Sequence, residues 1–190
     1  MSLNFIEEQT FENKFFSKNE FENGNYEICT FINCDFSNTN LSETRFIECE
    51  FYDCNLSSAN VYNTGFQDVL FKDCKMLGID FEKSSHFAFH IKVNNCQLNH
   101  ASFYKMNLSK TVFKASKMEG VDFSESDLSL CVFDNCNLLN TSFFKSNLEK
   151  ADFRTSINYT IDPENNRIKG AKFSLQSVEG LLSKYKIQIE

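Results

Sequence analysis

The residues of this chain that could do chemistry include three histidines, eight cysteines and 26 acidic side chains. His86 and His90 are spaced as two zinc ligands on a helix would be, but no acidic or Cys third ligand accompanies them in register. The chain has no Ser-His-Asp order, no phosphate-binding glycine loop and no dinucleotide fingerprint, and its six glycines occur singly. We therefore predict no catalytic residue, no metal site and no cofactor, and an enzyme is not expected.

A period of five residues organises the chain, most clearly between Cys29 and Phe81. Every fifth residue from Phe31 is large and apolar, and the residue two places before it is small in every case except Ile79. An α-helix repeats every 3.6 residues and a β-strand every 2, so neither produces this period. One large and one small inward residue per five is expected of a square coil with five residues to a side. Such coils stack about 4.8 Å apart. The large central residues are Phe31, Phe36, Leu41, Phe46, Phe51, Leu56, Val61, Phe66, Phe71, Met76 and Phe81.

This pattern resembles that of the pentapeptide-repeat proteins. The fold of that family is a right-handed quadrilateral β-helix, so the resemblance implies an all-β solenoid of pentapeptide repeats over residues 1–173. The sequence itself predicts a helix in 174–190, with Ser174 or Ser177 as N-cap and a short strand-like tail. We expect this helix to cap the last coil. In the family a C-terminal helical module joins two subunits end to end, which implies a homodimer through Val178, Leu181, Leu182, Tyr185, Ile187 and Ile189.

All eight cysteines fall two residues before the centre of a repeat, where the coil requires a small buried side chain. A free cysteine behaves there as a small hydrophobic residue, so neither disulfides nor zinc binding is expected. Free thiols also suit a reducing compartment. These residues are Cys29, Cys34, Cys49, Cys54, Cys74, Cys96, Cys131 and Cys136.

The five-residue period is interrupted twice. An irregular coil is predicted at 82–97, with Phe87 and Val93 as repeat centres, each preceded by one inserted residue. This assignment keeps the sides of the coil in phase, because Phe71, Val93 and Phe113 then share one side. A loop is predicted at 154–167 around Asp162-Pro163-Glu164-Asn165-Asn166, after which Ile168 and Phe173 return in phase.

Charge is distributed unevenly along the chain. Through Phe81 there are 14 acidic and 5 basic residues, and from Glu82 onward there are 12 acidic and 14 basic residues. The assumed coil places two rows of acidic residues on neighbouring sides, and their potential would attract a basic cleft and repel nucleic acid. We predict that these rows form a partner-binding surface made of Glu20, Glu22, Glu27, Glu43, Glu48, Asp68, Asp80 and Glu82.

Some pentapeptide-repeat proteins, notably those of the quinolone-resistance type, resemble duplex DNA in width and charge. The resemblance therefore implies a DNA mimic that binds DNA gyrase or topoisomerase IV and modulates it or protects it from quinolones. Two features depart from that type: no loop interrupts Phe31 to Phe81, and the C-terminal half is basic. The alternative is an interaction scaffold with an unassigned protein partner. For that alternative we expect the outward residues Tyr52, Tyr62, Tyr104, Leu130, Leu139 and Phe144 to form one patch.

The N-terminal residues 1–16 contain glutamates where a signal peptide would have an apolar run, and no later segment could span a membrane. These features predict a cytoplasmic protein that does not contact membranes.

Overall fold

The computed structural model describes residues 4–18 and 21–188, and it confirms the predicted right-handed quadrilateral β-helix. Short parallel strands stack along the solenoid in two sheets, which we call the first and fourth sides of the coil. The first side contains β2 (Thr10–Glu12), β4 (Thr30–Ile32), β6 (Glu50–Tyr52), β8 (Val69–Lys72), β9 (Ile91–Asn94), β10 (Val112–Lys114) and β11 (Val132–Asp134). The fourth side contains β1 (Asn4–Glu7), β3 (Gly24–Glu27), β5 (Arg45–Ile47) and β7 (Gly65–Gln67).

The coil has a strict register because each strand pairs with the strand one turn away. Phe31 pairs with both Phe11 and Phe51, and Phe46 pairs with Phe66. The second and third sides, centred on residues such as Phe36 and Leu41, are linked by isolated parallel bridges instead. All backbone pairing is thus between successive coils, as the five-residue period predicts.

Columns of aromatic rings fill the interior. On the first side, the ring centroid of Phe51 lies 4.7 Å from that of Phe31 and 5.1 Å from that of Phe71, with the rings nearly parallel. The same stacking continues between Phe133 and Phe153, 4.8 Å apart. This distance equals the spacing between paired strands, so the backbone register holds the rings at van der Waals contact.

The corners of the coil explain the abundance of Asn and Asp. The residue two places after most centres adopts a positive φ, as at Asn33 (50°), Asp53 (52°) and Asn95 (53°). Asn and Asp tolerate this left-handed conformation better than most residues. Their side chains also bond between coils, since Asn33 Nδ2 donates to Asn13 Oδ1 at 2.7 Å.

The fourth side changes from strands to tight turns along the solenoid, and the residue before its centre contributes to this change. In three turns after the bulge this residue is Asn107, Asp127 or Asn147, and its side chain accepts a hydrogen bond from a backbone N–H two residues later. Asp127 accepts from Ser129 at 2.9 Å and Asn107 accepts from Ser109 at 3.1 Å. In β5 and β7 the same position is Arg45 or Gly65, which cannot accept such a bond, and the chain stays extended.

The irregular coil differs from its prediction in one respect. Val93 pairs with Phe71 and keeps the sides in phase, as expected. Phe87, however, is 78% exposed, so its assignment as a repeat centre is wrong. Phe89 turns inward instead and its ring lies 6.1 Å from that of Phe66. Ser85 still bonds to Thr64, as Gly65 bonds to Thr44 one turn earlier, so both inserted residues lie in a single bulge between Ser85 and Ile91. A 3₁₀ helix, Phe81–Lys83, precedes the bulge.

The C-terminal segment lies against the last coils as two 3₁₀ helices, Leu175–Leu181 and Ser183–Tyr185. Ser174 occupies the N-cap position without a side-chain capping bond, and Ser177 is a kink rather than a cap. Gly180 is buried, and its carbonyl accepts a hydrogen bond from Ile161 at 3.0 Å. The expected return of the period after the loop is confirmed, because Phe173 stacks on Phe153 at 5.3 Å.

The second helix is tied to the 154–167 loop by an ion-pair cluster. Lys184 Nζ lies 2.7 Å from both Asp162 Oδ1 and Glu164 Oε2, and Tyr185 donates to Glu164 at 2.8 Å. The hydrogen bonds from Lys184 lower the pKa of both carboxyl groups. The loop and the helical segment therefore hold each other in place.

Candidate protein-binding surface

The structure places the predicted acidic rows on the third and fourth sides of the coil. Glu43 and Glu48 occupy corners with φ of 63° and 52°, and Asp68 lies one coil above Glu48 with φ of 53°. Corner side chains point away from the core, so Glu43, Glu48 and Asp68 are exposed, as is Glu22. Glu27, Asp80 and Glu82 are half-buried. Glu20 lies outside the described residues.

Three of the predicted acidic residues are engaged locally around the irregular coil. Asp68 lies 2.6 Å from His90 Nδ1, and Asp80 forms an ion pair with Lys83. Glu82 accepts a hydrogen bond from Ser102 at 2.6 Å. Their carboxylates thus form contacts in and around the irregular coil as well as facing solvent.

The remaining carboxylates are more available. Within the described part of the chain, Glu27, Glu43 and Glu48 form no ion pair, and Glu22 accepts a hydrogen bond from Asn4. Glu27, Glu43 and Glu48 thus lack a cationic partner among the described residues, whereas Asp68, Asp80 and Glu82 each contact a neighbour at the bulge.

The outward apolar residues do not form the single patch that the sequence suggested. Tyr62, Tyr104 and Phe144 share the third side, whereas Tyr52 lies on the first side, Leu139 on the second and Leu130 at a corner. Tyr52 and Tyr104 are half-buried and donate to Glu50 and Glu125, at 2.9 and 3.1 Å. Partner binding through one apolar patch of these six residues is therefore not supported.

Two features of the surface were not identified from the sequence. Phe87 projects from the bulge beside a groove lined by Glu43, Arg45, Gly65 and Gln67. The break in the period was the only signal for it. On the third side, Lys105 lies 4.8 Å from the ring centroid of Tyr104 and Lys145 lies 5.1 Å from that of Phe144, both within cation–π range.

The C-terminal candidates divide into two groups. Val178, Leu181 and Leu182 are half-buried, and Leu181 packs against the core. Tyr185 and Ile187 are exposed, while Ile189 lies outside the described residues. The tail forms no strand at Ile187 and Gln188.

All eight cysteines are free and buried. Each thiol donates to a backbone carbonyl, as Cys49 Sγ does to Tyr26 at 3.3 Å, and the sulfurs of Cys54 and Cys96 also accept from backbone N–H groups. Burial raises the pKa of Cys49 and Cys131 to about 12 and that of Cys136 to about 11. No group of three His, Cys, Asp or Glu residues in 4–18 or 21–188 is placed to hold a metal ion.

We expect these thiols to be unreactive in the folded protein, because the thiolate is the nucleophile and burial disfavours it. Ellman's reagent should label the native protein at least about 100-fold more slowly than the urea-unfolded protein, which should release all eight thiols. Phe87→Cys, at an exposed position, is the control and should react at once. Rapid labelling of the wild-type protein under native conditions would contradict the burial of the thiols.

Comparison with known proteins agrees with this architecture. The profile described as the pentapeptide repeat region matches residues 24–90 and 89–160. Two structures of trypsin-treated QnrB1, a plasmid-mediated fluoroquinolone resistance protein, superpose with a TM-score of 0.64 each. They are 21% and 20% identical to this chain, and the matches cover 98% and 100% of it and all of QnrB1 as crystallised. No curated protein matches the sequence.

At this level of identity the QnrB1 structures establish the shared fold and leave activity open. No helix among the described residues is long and apolar enough to cross a membrane. The two profile matches together span most of the regular coils, and the inward columns and corners described above follow the five-residue period on both sides of the bulge. The chain therefore belongs to the pentapeptide repeat family.

Proposed function

We propose that this protein is a non-enzymatic rod that binds a type II topoisomerase through the acidic surface of its first coils. The observation that carries the proposal is the set of exposed carboxylates at Glu22, Glu43 and Glu48, which lie on the third side and at the two corners that bound the fourth side and form no ion pair with any described residue. A rod of this charge attracts the basic clefts through which enzymes hold DNA. The likeness in fold to QnrB1, a fluoroquinolone resistance protein, directs the choice of partner.

The basic C-terminal half limits which part of the rod can enter such a cleft. Positive side chains would be repelled by the surface that binds DNA phosphates, so we place the contact in the coils before the bulge. Asp80 contributes less charge there because Lys83 pairs with it, and Asp68 and Glu82 are engaged by hydrogen bonds with His90 and Ser102. In this proposal the protein acts by occupying the DNA site.

The test is supercoiling by purified DNA gyrase with the protein titrated in, with and without a quinolone. We expect inhibition, or protection from the drug, at micromolar protein. The charge reversal Glu22→Lys combined with Glu43→Lys should weaken the effect at least tenfold, whereas Glu119→Lys on the second side should leave it unchanged. An unaltered supercoiling rate at every protein concentration would reject gyrase and favour a scaffold with another protein partner.

We also retain the end-to-end homodimer as a proposal. Its support is the exposure of Tyr185 and Ile187 at the capped end of the solenoid, beside the half-buried Val178, Leu181 and Leu182. Such a dimer would leave the acidic first coils at its two far ends, free to enter a cleft.

A further inference from the structure

The edge between the fourth and first sides changes the sign of its charge along the solenoid. In successive coils its corner residues are acidic or apolar before the bulge and basic or apolar after it. The column is continuous on either side of the bulge, because each corner N–H donates to the carbonyl of the next coil, as Glu48 does to Gln67 at 2.8 Å and Lys110 to Ser129 at 2.9 Å. We call this column the dipolar edge, and its residues are Glu8, Ile28, Glu48 and Asp68, then Lys110, Leu130 and Lys150.

The first side, next to this edge, has a similar polarity. Its sheet faces solvent, with Glu12 and Glu50 in the strands before the bulge and Lys92 and Lys114 after it. Two strand residues depart from this polarity, Lys72 in β8 and Asp134 in β11. Asp152, which follows the last strand, forms ion pairs with Arg154 and Lys172. Between these charges the sheet presents the apolar side chains of Ile32, Tyr52, Leu70, Val112 and Val132.

Aliphatic residues on the dipolar edge are unusually exposed. Ile28 is 47% exposed and Leu130 is 43% exposed, and Val112 on the neighbouring β10 is 43% exposed. Corner positions elsewhere in the coil are mostly Asn, Asp, Ser or Gly, which suit water and the left-handed backbone. An isoleucine and a leucine at such corners would each be stabilised by burial against a partner.

A second copy of the chain is complementary to this surface. The second copy is related to the first by a two-fold axis that lies in the interface, parallel to the strands. Each column of one copy then faces the same column of the other, but the coils run in the opposite order. With the axis between the coil of Asp68 and the bulge, Glu48 faces Lys110 and Glu8 faces Lys150. Ile28 and Leu130, the two aliphatic residues of the edge, then face each other. On the first side the same operation brings Glu12 opposite Arg154, whose guanidinium already pairs with Asp152, and it opposes no like charges.

We propose that the first side and the dipolar edge bind the same surface of a second copy, with the two solenoid axes antiparallel. The contact is isologous, so each of these pairs occurs twice. It is separate from the end-to-end contact, because none of its residues belongs to the C-terminal segment. Glu22 and Glu43, on the third side, stay exposed in this dimer.

The interface is small. Eight coil spacings of about 4.8 Å give a length of about 40 Å, and a side about 13 Å wide then buries roughly 500 Å² per copy. A standard interface buries about 800 Å² per partner, so association should be weak. The facing charges are partly exposed, and salt should weaken the dimer further.

Sedimentation equilibrium of the full chain tests the proposal. We expect reversible association through this surface at about 20 mM salt that is lost at about 500 mM, whereas the end-to-end contact, which these charges do not form, should persist. Glu48→Lys or Lys110→Glu alone places like charges together twice in the dimer and should raise the Kd at least tenfold. An equimolar mixture of these two variants restores both opposite-charge contacts in a heterodimer, and its Kd should return to within about threefold of the wild type. Glu43→Lys makes the same charge change at a third-side corner and should have no effect.

The mixture separates this contact from any other mode of self-association. Glu8→Lys and Lys150→Glu form a second, independent pair that should behave in the same way. A protein that stays monomeric at low salt and about 1 mM concentration would overturn the proposal. So would a dimer that neither Glu48→Lys nor Lys110→Glu weakens, or a mixture no tighter than the separate variants. Because none of these readouts involves gyrase, they are independent of the proposed function.

Discussion

Replacing Phe51 with aspartate is expected to prevent the protein from folding. Phe51 is fully buried, and its ring is stacked between those of Phe31 and Phe71 at 4.7 and 5.1 Å. Removing such a ring costs about 3–5 kcal/mol, and an unpaired carboxylate in its place adds several more. A domain of this size is stable by about 5–15 kcal/mol, so the sum approaches or exceeds the whole free energy of unfolding.

The measurement is the soluble yield of Phe51→Asp together with its circular dichroism and thermal melt. Phe87→Asp is the matched control, because Phe87 is 78% exposed on the bulge, and it should fold with the melting temperature of the wild type. Loss of folding in both variants would point to a general effect of the added charge. A soluble Phe51→Asp protein with an unchanged melting temperature would contradict the stacked-column structure.

The inward columns could be predicted from the sequence because the rule that specifies them is local. A large residue such as Phe31 and a small one such as Cys29 recur at fixed spacing, and each pair identifies one side of the coil without knowledge of its neighbours. Because four repeats form one coil, every fourth repeat is then assigned to the same side. The pairing of Val93 with Phe71 across the break follows from this assignment.

The inward residue of the bulge could not be predicted in the same way. The segment around Phe87 offers several apolar candidates, among them Phe89 and Ile91, and the period does not choose between them once residues are inserted. The choice depends on the neighbouring coils. Ser85 keeps its hydrogen bond to Thr64, so the chain can return to register only after both extra residues have been accommodated, and Phe89 is the ring that reaches the core.

The acidic surface could likewise be predicted only in part. Its rows could be assigned to sides of the coil as soon as the period was known, because exposure follows position in the repeat. The local partners of Asp68 and Asp80 could not, since His90 and Lys83 belong to the irregular coil. The contacts of the C-terminal segment could not be predicted from the sequence either, because they depend on how this segment packs against the last coils.

Gly180→Ala is expected to displace the C-terminal segment from the end of the solenoid. A Cβ atom at Gly180 would lie 2.1 Å from the carbonyl oxygen of Tyr159 and 2.9 Å from its ring, and neither the backbone nor the buried ring can move aside easily. The helix must therefore shift, which weakens the hydrogen bond from Ile161 to the Gly180 carbonyl. Overpacking of this kind costs about 1–3 kcal/mol.

Hydrogen exchange should locate the change. The amide of Ile161 and those of Leu175–Leu181 should lose protection in Gly180→Ala, because the ion pairs of Lys184 hold only the far end of the segment. The amides of β4, β6 and β8, which lie far from the change, should keep their protection. Gly65→Ala is the control: its Cβ would meet the flexible Arg45 side chain at 3.3 Å, which can move away. Wild-type protection of Ile161 in Gly180→Ala would show that the segment does not pack on Tyr159 as described. Loss of protection throughout the coils would instead mean that the cap and the solenoid unfold as one unit.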